Sequence, residues 1–227
     1  MEICVCGEAF RSTQISHHFL SFNQGFLAAC GIGATYAAAA TVGVQRYPLS
    51  TRLIRPPGAM VRDPLTGARR ATEAEFRDLC LRCGQCMKAC PTGGLQPAVS
   101  ETGFEGLFTP VLVPQVGWCE RNCNACGVVC PSGALQAFEI AEKPSIKLGQ
   151  AAIHRDRCLA WKDGADHRRC LVCNESCSYG AVDVREQGGL LRPFVNQHRC
   201  VGCGMCEHMC PAHPQRAIVV YREGAGA

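Results

Sequence analysis

Sixteen of the 19 cysteines in this 227-residue chain fall into four short runs. The first is Cys80-x2-Cys83-x2-Cys86-x3-Cys90, followed by Pro91-Thr92-Gly93-Gly94-Leu95. The second is Cys119-x3-Cys123-x2-Cys126-x3-Cys130, followed by Pro131-Ser132-Gly133-Ala134-Leu135. The third is Cys158-x11-Cys170-x2-Cys173-x3-Cys177, followed by Ser178-Tyr179-Gly180-Ala181-Val182. The fourth is Cys200-x2-Cys203-x2-Cys206-x3-Cys210, followed by Pro211 and then Ala217-Ile218-Val219. A unit that recurs four times is read as a structural repeat before anything else is read. Here the unit is a cysteine loop, a short helical turn, a tight turn and a short β-like run.

The spacing selects the chemistry. Disulfide scaffolds need paired cysteines and belong mostly to small secreted domains; an odd count in tight triplets fits neither condition. Structural zinc takes cysteine pairs set well apart and has no use for a compact triplet. Cys-x2-Cys-x2-Cys wraps one loop around three irons of a [4Fe–4S] cube. The next cysteine, three residues on and before Pro, points away and serves a neighbouring cluster. Proline ends the helical turn and offers no N–H to compete for the sulfurs. The runs at 80–90 and 200–210 match this pattern in full. The second run has one extra residue in its first gap, and the third has an insertion from Leu159 to Arg169, expected to loop out, and Ser178 in place of Pro. The expectation is four [4Fe–4S] clusters on sixteen ligands, with Cys4, Cys6 and Cys30 left over near the N-terminus. Because ligands are shared, runs must pair, either as neighbours (first with second, third with fourth) or nested (first with fourth, second with third). Spacing leaves both open.

Composition agrees with a cofactor-held body. Apolar residues make up 47% of the chain, a figure that includes the cysteines, and aromatics only 7%. An apolar core this thin needs clusters to hold it together. A net charge of +4, with acids and bases intermixed, gives no nucleic-acid footprint. No Ser/His/Asp constellation, P-loop or nucleophile elbow is present. Gly31-x-Gly33 has no preceding strand and no third glycine, so it is not a dinucleotide loop. His198 and His208 flank or enter the fourth run but find it already complete, and His167, Arg168 and Arg169 sit in the third-run insertion as a solvated loop or a docking patch for an acidic partner.

The fold class expected is α+β: ferredoxin-like iron–sulfur modules in two pseudo-symmetric two-cluster units, preceded by an N-terminal apolar helix. Strands are expected over 110–116, 135–140, 145–153, 181–184 and 218–221, with a short helix over 69–79. Residues 1–50 read as a leader or membrane anchor, 51–72 as a linker and 73–227 as the four-cluster body. Between Arg11 and Arg46 there is no charged residue, and Phe26 to Val44 is a 19-residue apolar stretch. At about 1.5 Å per residue such a helix just reaches across a hydrocarbon core of about 30 Å, so 19–44 is a candidate for membrane contact. Arg46, Arg52, Arg55 and Arg62 follow the stretch, a bias that would hold a retained anchor's body on the cytoplasmic face.

From about Arg55 to Tyr221 the chain resembles the MauM/NapG family of ferredoxin-type proteins. The residues that carry the likeness are Arg55-Pro56-Pro57-Gly58-Ala59, Glu75-Phe76, Cys80-Leu81-Arg82-Cys83-Gly84-Gln85-Cys86, and Cys158-Leu159 with Gly164 before Cys170. The resemblance implies accessory electron carriers associated with methylamine oxidation and periplasmic nitrate reduction. It also implies four [4Fe–4S] clusters in a fold similar to β-subunits of the DMSO-reductase class, with nested pairing. An exported, periplasmic or membrane-associated location follows from it too, although Ser16-His17-His18-Phe19-Leu20 stands where a twin-arginine motif is expected. The function expected is electron transfer between a membrane quinol dehydrogenase and a terminal oxidoreductase, without a catalytic site. The alternative is an iron–sulfur subunit docked permanently in a larger oxidoreductase. A small-molecule reductase is disfavoured, because it needs an open iron site or a further cofactor and all four runs are complete.

Overall fold

In the computed structural model the chain divides into two units, Met1–Arg46 and Tyr47–Ala227. The described residues are 52–59, 72–99 and 102–222, all in the second unit. The expected apolar helix at 26–44, the leader at 1–50 and the membrane contact at 19–44 lie outside them. Among the described residues no helix is long and apolar enough to cross a membrane.

The elements are short because each cysteine run consumes the chain in turns. Helix α1 (Glu73–Leu79) starts at Thr72, whose hydroxyl accepts the Glu75 N–H while the Glu75 carboxylate accepts the Thr72 N–H. It buries Phe76. Helix α2 (Gln85–Ala89) follows Gly84, which takes a left-handed conformation at φ 75° that glycine adopts without strain. Strands β1 (Leu95–Pro97) and β2 (Pro110–Leu112) pair antiparallel, and helix α3 (Ala125–Val128) carries Cys126. Strand β3 (Gly149–Ile153) comes next, then helix α4 (Val172–Glu175). The hairpin of β4 (Val182–Gln187) and β5 (Leu190–Val195) turns at Gly188-Gly189, both at positive φ. Helix α5 (Met205–His208) again follows a left-handed glycine, Gly204, and β6 (Ile218–Arg222) pairs antiparallel with β3.

The two halves of the body repeat one plan. In the second half the inner hairpin β4–β5 lies between two cysteine runs, and the outer strands β3 and β6 close the ends over five paired residues. In the first half β1–β2 is the inner pair. Its outer pair is made by residues 52–59 and 134–138, tied by Gln136 N–H to Gly58 C=O at 2.7 Å. The expected strand at 135–140 is therefore no strand. Its partner segment carries Pro56 and Pro57, which have no N–H to donate, so a ladder cannot form. Residues 52–59 also differ from a linker: Leu53, Ile54, Pro56, Pro57, Gly58 and Ala59 are buried, and Leu112 N–H donates to Ile54 C=O at 2.8 Å.

Other expectations shift at their edges. The run at 110–116 pairs only to Leu112, because Pro114 interrupts it. The run at 145–153 becomes strand only from Gly149, since Ile140–Ser145 coils into a 3-10 helix. Most of the core is cysteine and small apolar residues. Cys86, Cys126, Cys158, Cys200, Cys206 and Cys210 are buried members of the main cluster, alongside Phe76, Leu135, Phe138 and Val220. The insertion from Leu159 to Arg169 is not a free loop. Ala160 is fully buried, the Trp161 indole N–H donates to Pro193 C=O at 3.2 Å, and Arg155 and Arg192 lie over the Trp161 ring.

Candidate metal centres

The sixteen described cysteines are all free thiols, and they gather around four cavities. Cradle 1 is lined by Cys80, Cys83 and Cys86 of the first run and Cys130 of the second. Cradle 2 is lined by Cys119, Cys123 and Cys126 with Cys90. Cradle 3 brings Cys158, Cys170 and Cys173 together with Cys210. Cradle 4 brings Cys200, Cys203 and Cys206 together with Cys177. Every run thus gives three thiols to one cavity and its last cysteine to the neighbour. The runs pair first with second and third with fourth. The nested pairing implied by the family likeness is not what the chain adopts. The reason is local: α2 packs on α3 and α4 on α5, which brings Cys130 to the first run and Cys210 to the third.

Among the described residues no three His, Cys, Asp or Glu side chains converge tightly enough for a single metal ion. Four thiols lining one cavity fit a cubane cluster, whose four irons each take one thiolate. The thiols in these cavities are crowded. Burial, then neighbouring thiolates, pushes Cys86 up to about 11 and Cys173 up to about 12. Burial also takes Cys126 and Cys203 up to about 12. Metal binding must displace those protons, so loading and folding are coupled to thiol ionisation.

The last cysteines of the runs sit in a different environment. Burial pushes Cys90 up, but the Thr92 hydroxyl and nearby backbone N–H groups together outweigh it and leave Cys90 lowered. Cys130 is lowered in the same way, with burial opposed by the Leu135 N–H at 3.3 Å and by Ser132. Ala181 N–H donates to the Cys177 sulfur at 3.2 Å. The turns that follow the first three runs therefore aim donors at their crossing sulfurs, which suits a thiolate ligand.

Cradles 2 and 4 meet at the seam between the halves. Cys119 N–H donates to Cys203 C=O at 2.7 Å, and the Trp118 ring lies 5.0 Å from His208. Arg121 stacks over Tyr179 at 5.1 Å and bonds Ser178 C=O. The Tyr179 hydroxyl is buried without a partner and feels the charge of both Cys203 and Cys119. The four cavities thus neighbour one another in the order 1, 2, 4, 3. Cys83 of cradle 1 is the one exposed thiol among the described cysteines, beside exposed Leu81.

Three supporting groups carry no motif. Lys143, buried to 3% exposure, lines cradle 2 and donates to Glu120 C=O and Cys123 C=O. Lys147 binds the carbonyls of Gln197, His198 and Cys200, fixing the entry to the fourth run. Glu207, fully buried on α5, accepts the Val220 N–H at 2.7 Å and pairs with Arg52. His208 does not stand among the thiols lining cradle 4, and neither does His198. In the insertion, Arg168 and Arg169 are exposed and His167 is half-buried.

Comparison with known proteins places this geometry. The 4Fe-4S binding domain family matches residues 76–96 and 193–214, the two regular runs. The ferredoxin-type protein NapG of Escherichia coli is 32% identical over 196 residues, covering 82% of this chain and 75% of the relative. The methylamine utilization ferredoxin-type protein MauM of Paracoccus denitrificans is 31% identical over 174 residues, 72% of this chain and 69% of the relative. The chain belongs to the NapG/MauM family of ferredoxin-type proteins. As a member it is a ferredoxin-type iron–sulfur protein. The irregular second and third runs fall outside the matched domains, yet their thiols complete cradles 1 and 4 as well as filling 2 and 3.

Proposed function

We propose that this protein is a one-dimensional electron conduit holding four [4Fe–4S] clusters in two pseudo-symmetric two-cluster units. Cradle 1 takes Cys80, Cys83, Cys86 and Cys130; cradle 2 takes Cys90, Cys119, Cys123 and Cys126. Cradle 3 takes Cys158, Cys170, Cys173 and Cys210; cradle 4 takes Cys177, Cys200, Cys203 and Cys206. The observation that carries the reading is the succession of four cavities each lined by four thiols, each sharing a run with its neighbour and joined 2 to 4 across the seam. A cluster supplies reversible one-electron chemistry when bound. The chain's own residues hold it, exclude water and set its potential.

In this reading a reduced redox protein gives one electron at one end of the row and an oxidised one removes it at the other. The partners are a membrane quinol dehydrogenase and a terminal oxidoreductase, on the exported side of the membrane; a permanently docked subunit of an oxidoreductase is the alternative form of the same role. With every cradle closed by four thiols, no iron site is left open for substrate. The test is anaerobic purification with iron, sulfide and zinc analysis and EPR of the reduced protein. About sixteen iron and sixteen sulfide per chain are expected from four cubanes. Two cubanes only, or stoichiometric zinc, contradicts the reading.

A further inference from the structure

Lys143 and Glu207 are the two charged side chains that burial encloses among the described residues, and they stand beside adjoining cradles. Their situations are opposite. Glu207, next to Cys206 of cradle 4, is paired with Arg52 and with a backbone N–H, so its charge is balanced. Lys143 lines cradle 2 and meets only dipoles: its ammonium donates to the carbonyls of Glu120 and Cys123. Those two carbonyls belong to the loop that presents Cys119 and Cys123. Burial pushes the Cys119 and Cys126 thiols up, and the charge of the ammonium pulls the other way on both. The Phe138 ring lies 5.9 Å from the ammonium.

A cluster becomes more negative when reduced. A buried positive charge, with little water to screen it, stabilises that reduced form more than the oxidised one. Cradles 1, 3 and 4 have no buried cation in their linings. Resting on the four-cluster reading above, we propose that Lys143 sets the potential of the cluster in cradle 2, making it the highest of the four and the place where a first electron comes to rest. Reduction there forms and breaks no bond: one electron arrives from the reduced redox partner. Cradle 2 is an inner position in the row. An electron entering from either end is therefore drawn inward and waits at the seam, which gives the conduit a store beside Cys203 of cradle 4.

The test is EPR-monitored potentiometric titration of the full, iron-loaded chain in four forms. These are the unmodified protein, Lys143→Gln, Lys143→Arg and Cys123→Ala. Lys143→Gln keeps N–H donors for the two carbonyls and removes the charge; Lys143→Arg keeps both. The highest-potential signal should move down in Lys143→Gln by about tenfold or more in its reduction equilibrium, about 59 mV for a one-electron couple. It should hold its place in Lys143→Arg, with iron content unchanged in both. Cys123→Ala, which opens cradle 2 and keeps the Cys123 carbonyl that Lys143 binds, should delete that same signal. Survival of the highest-potential signal in Cys123→Ala overturns the proposal, as do unshifted potentials in Lys143→Gln. Absence of cubane signals from the unmodified chain overturns the four-cluster reading and this inference with it.

Discussion

In the second half of the body, β3 and β6 close the module through a ladder of five residue pairs from Gly149 with Arg222 to Ile153 with Ile218. The first half has the same place to close and fills it with Arg52–Ala59, where two prolines forbid a ladder. A side-chain clamp does the work there. The Arg55 guanidinium donates to Glu73 on α1, to the Thr109 hydroxyl at 2.9 Å and to Pro110 C=O at 2.8 Å, and lies 4.6 Å over the Phe76 ring. Arg55 and Glu73 are part-buried, so little water competes for the pair. The difference teaches that the two-cradle plan fixes where the outer segments must meet but not how. Backbone pairing and one well-placed arginine are interchangeable solutions.

The largest effect expected is one that erases the comparison. Cysteines form much of the core, and cluster assembly is coupled to folding. Removing iron by anaerobic chelation should unfold both halves together, read as loss of the cooperative thermal transition and rapid proteolysis. An apo chain that melts as the holo chain does would contradict this.

Arg55→Ala should sharpen the comparison by striking one half. It removes hydrogen bonds to a charged donor and leaves Glu73 and Pro110 C=O short of a partner. A loss of roughly 2–3 kcal/mol is expected. Denaturant titration would measure it, and limited proteolysis should find the first cleavages in residues 72–146 while 147–222 stays protected. Equal vulnerability of both halves would remove the clamp from the account.

Gly84→Ala and Gly204→Ala compare the halves at the smallest scale. Both glycines are left-handed, at φ 75° and 88°, so an added Cβ strains each by about 1 kcal/mol. At Gly84 a Cβ meets nothing within 4 Å, whereas at Gly204 it comes to 3.0 Å from the Pro114 side chain of the other half. The Gly204 substitution should therefore cost more in Tm than the Gly84 one. Equal shifts would mean that Pro114 yields freely and that the seam is loosely packed there.

The cysteine runs made much of this architecture legible in advance. Spacing alone picked out the sixteen thiols that line the cavities. The β4 and β6 runs were readable from Val182–Val184 and Ile218–Tyr221. β5 escaped notice although Gly188-Gly189 marks its hairpin. The segment at 135–140 carries a strand-like pattern but meets a proline-rich partner far earlier in the chain, Gln136 pairing with Gly58, a contact that no local pattern encodes. Pairing was illegible for a related reason: sharing is decided by which short helices pack, and α2 on α3 leaves no periodic signature. Lys143, Tyr179 and Glu207 are lone residues whose importance comes only from burial beside a cradle.

The central claim is that neighbouring runs share clusters, so that Cys90 and Cys123 hold the same one while Cys90 and Cys203 hold different ones. Iron content of double replacements measures this directly. Each of Cys90→Ala, Cys123→Ala and Cys203→Ala should lower the count from about sixteen to about twelve, one cubane's worth. The pair Cys90→Ala/Cys123→Ala should stay at about twelve, and Cys90→Ala/Cys203→Ala should fall to about eight. The reverse result, about eight for the first pair and about twelve for the second, would restore nested sharing and contradict the account.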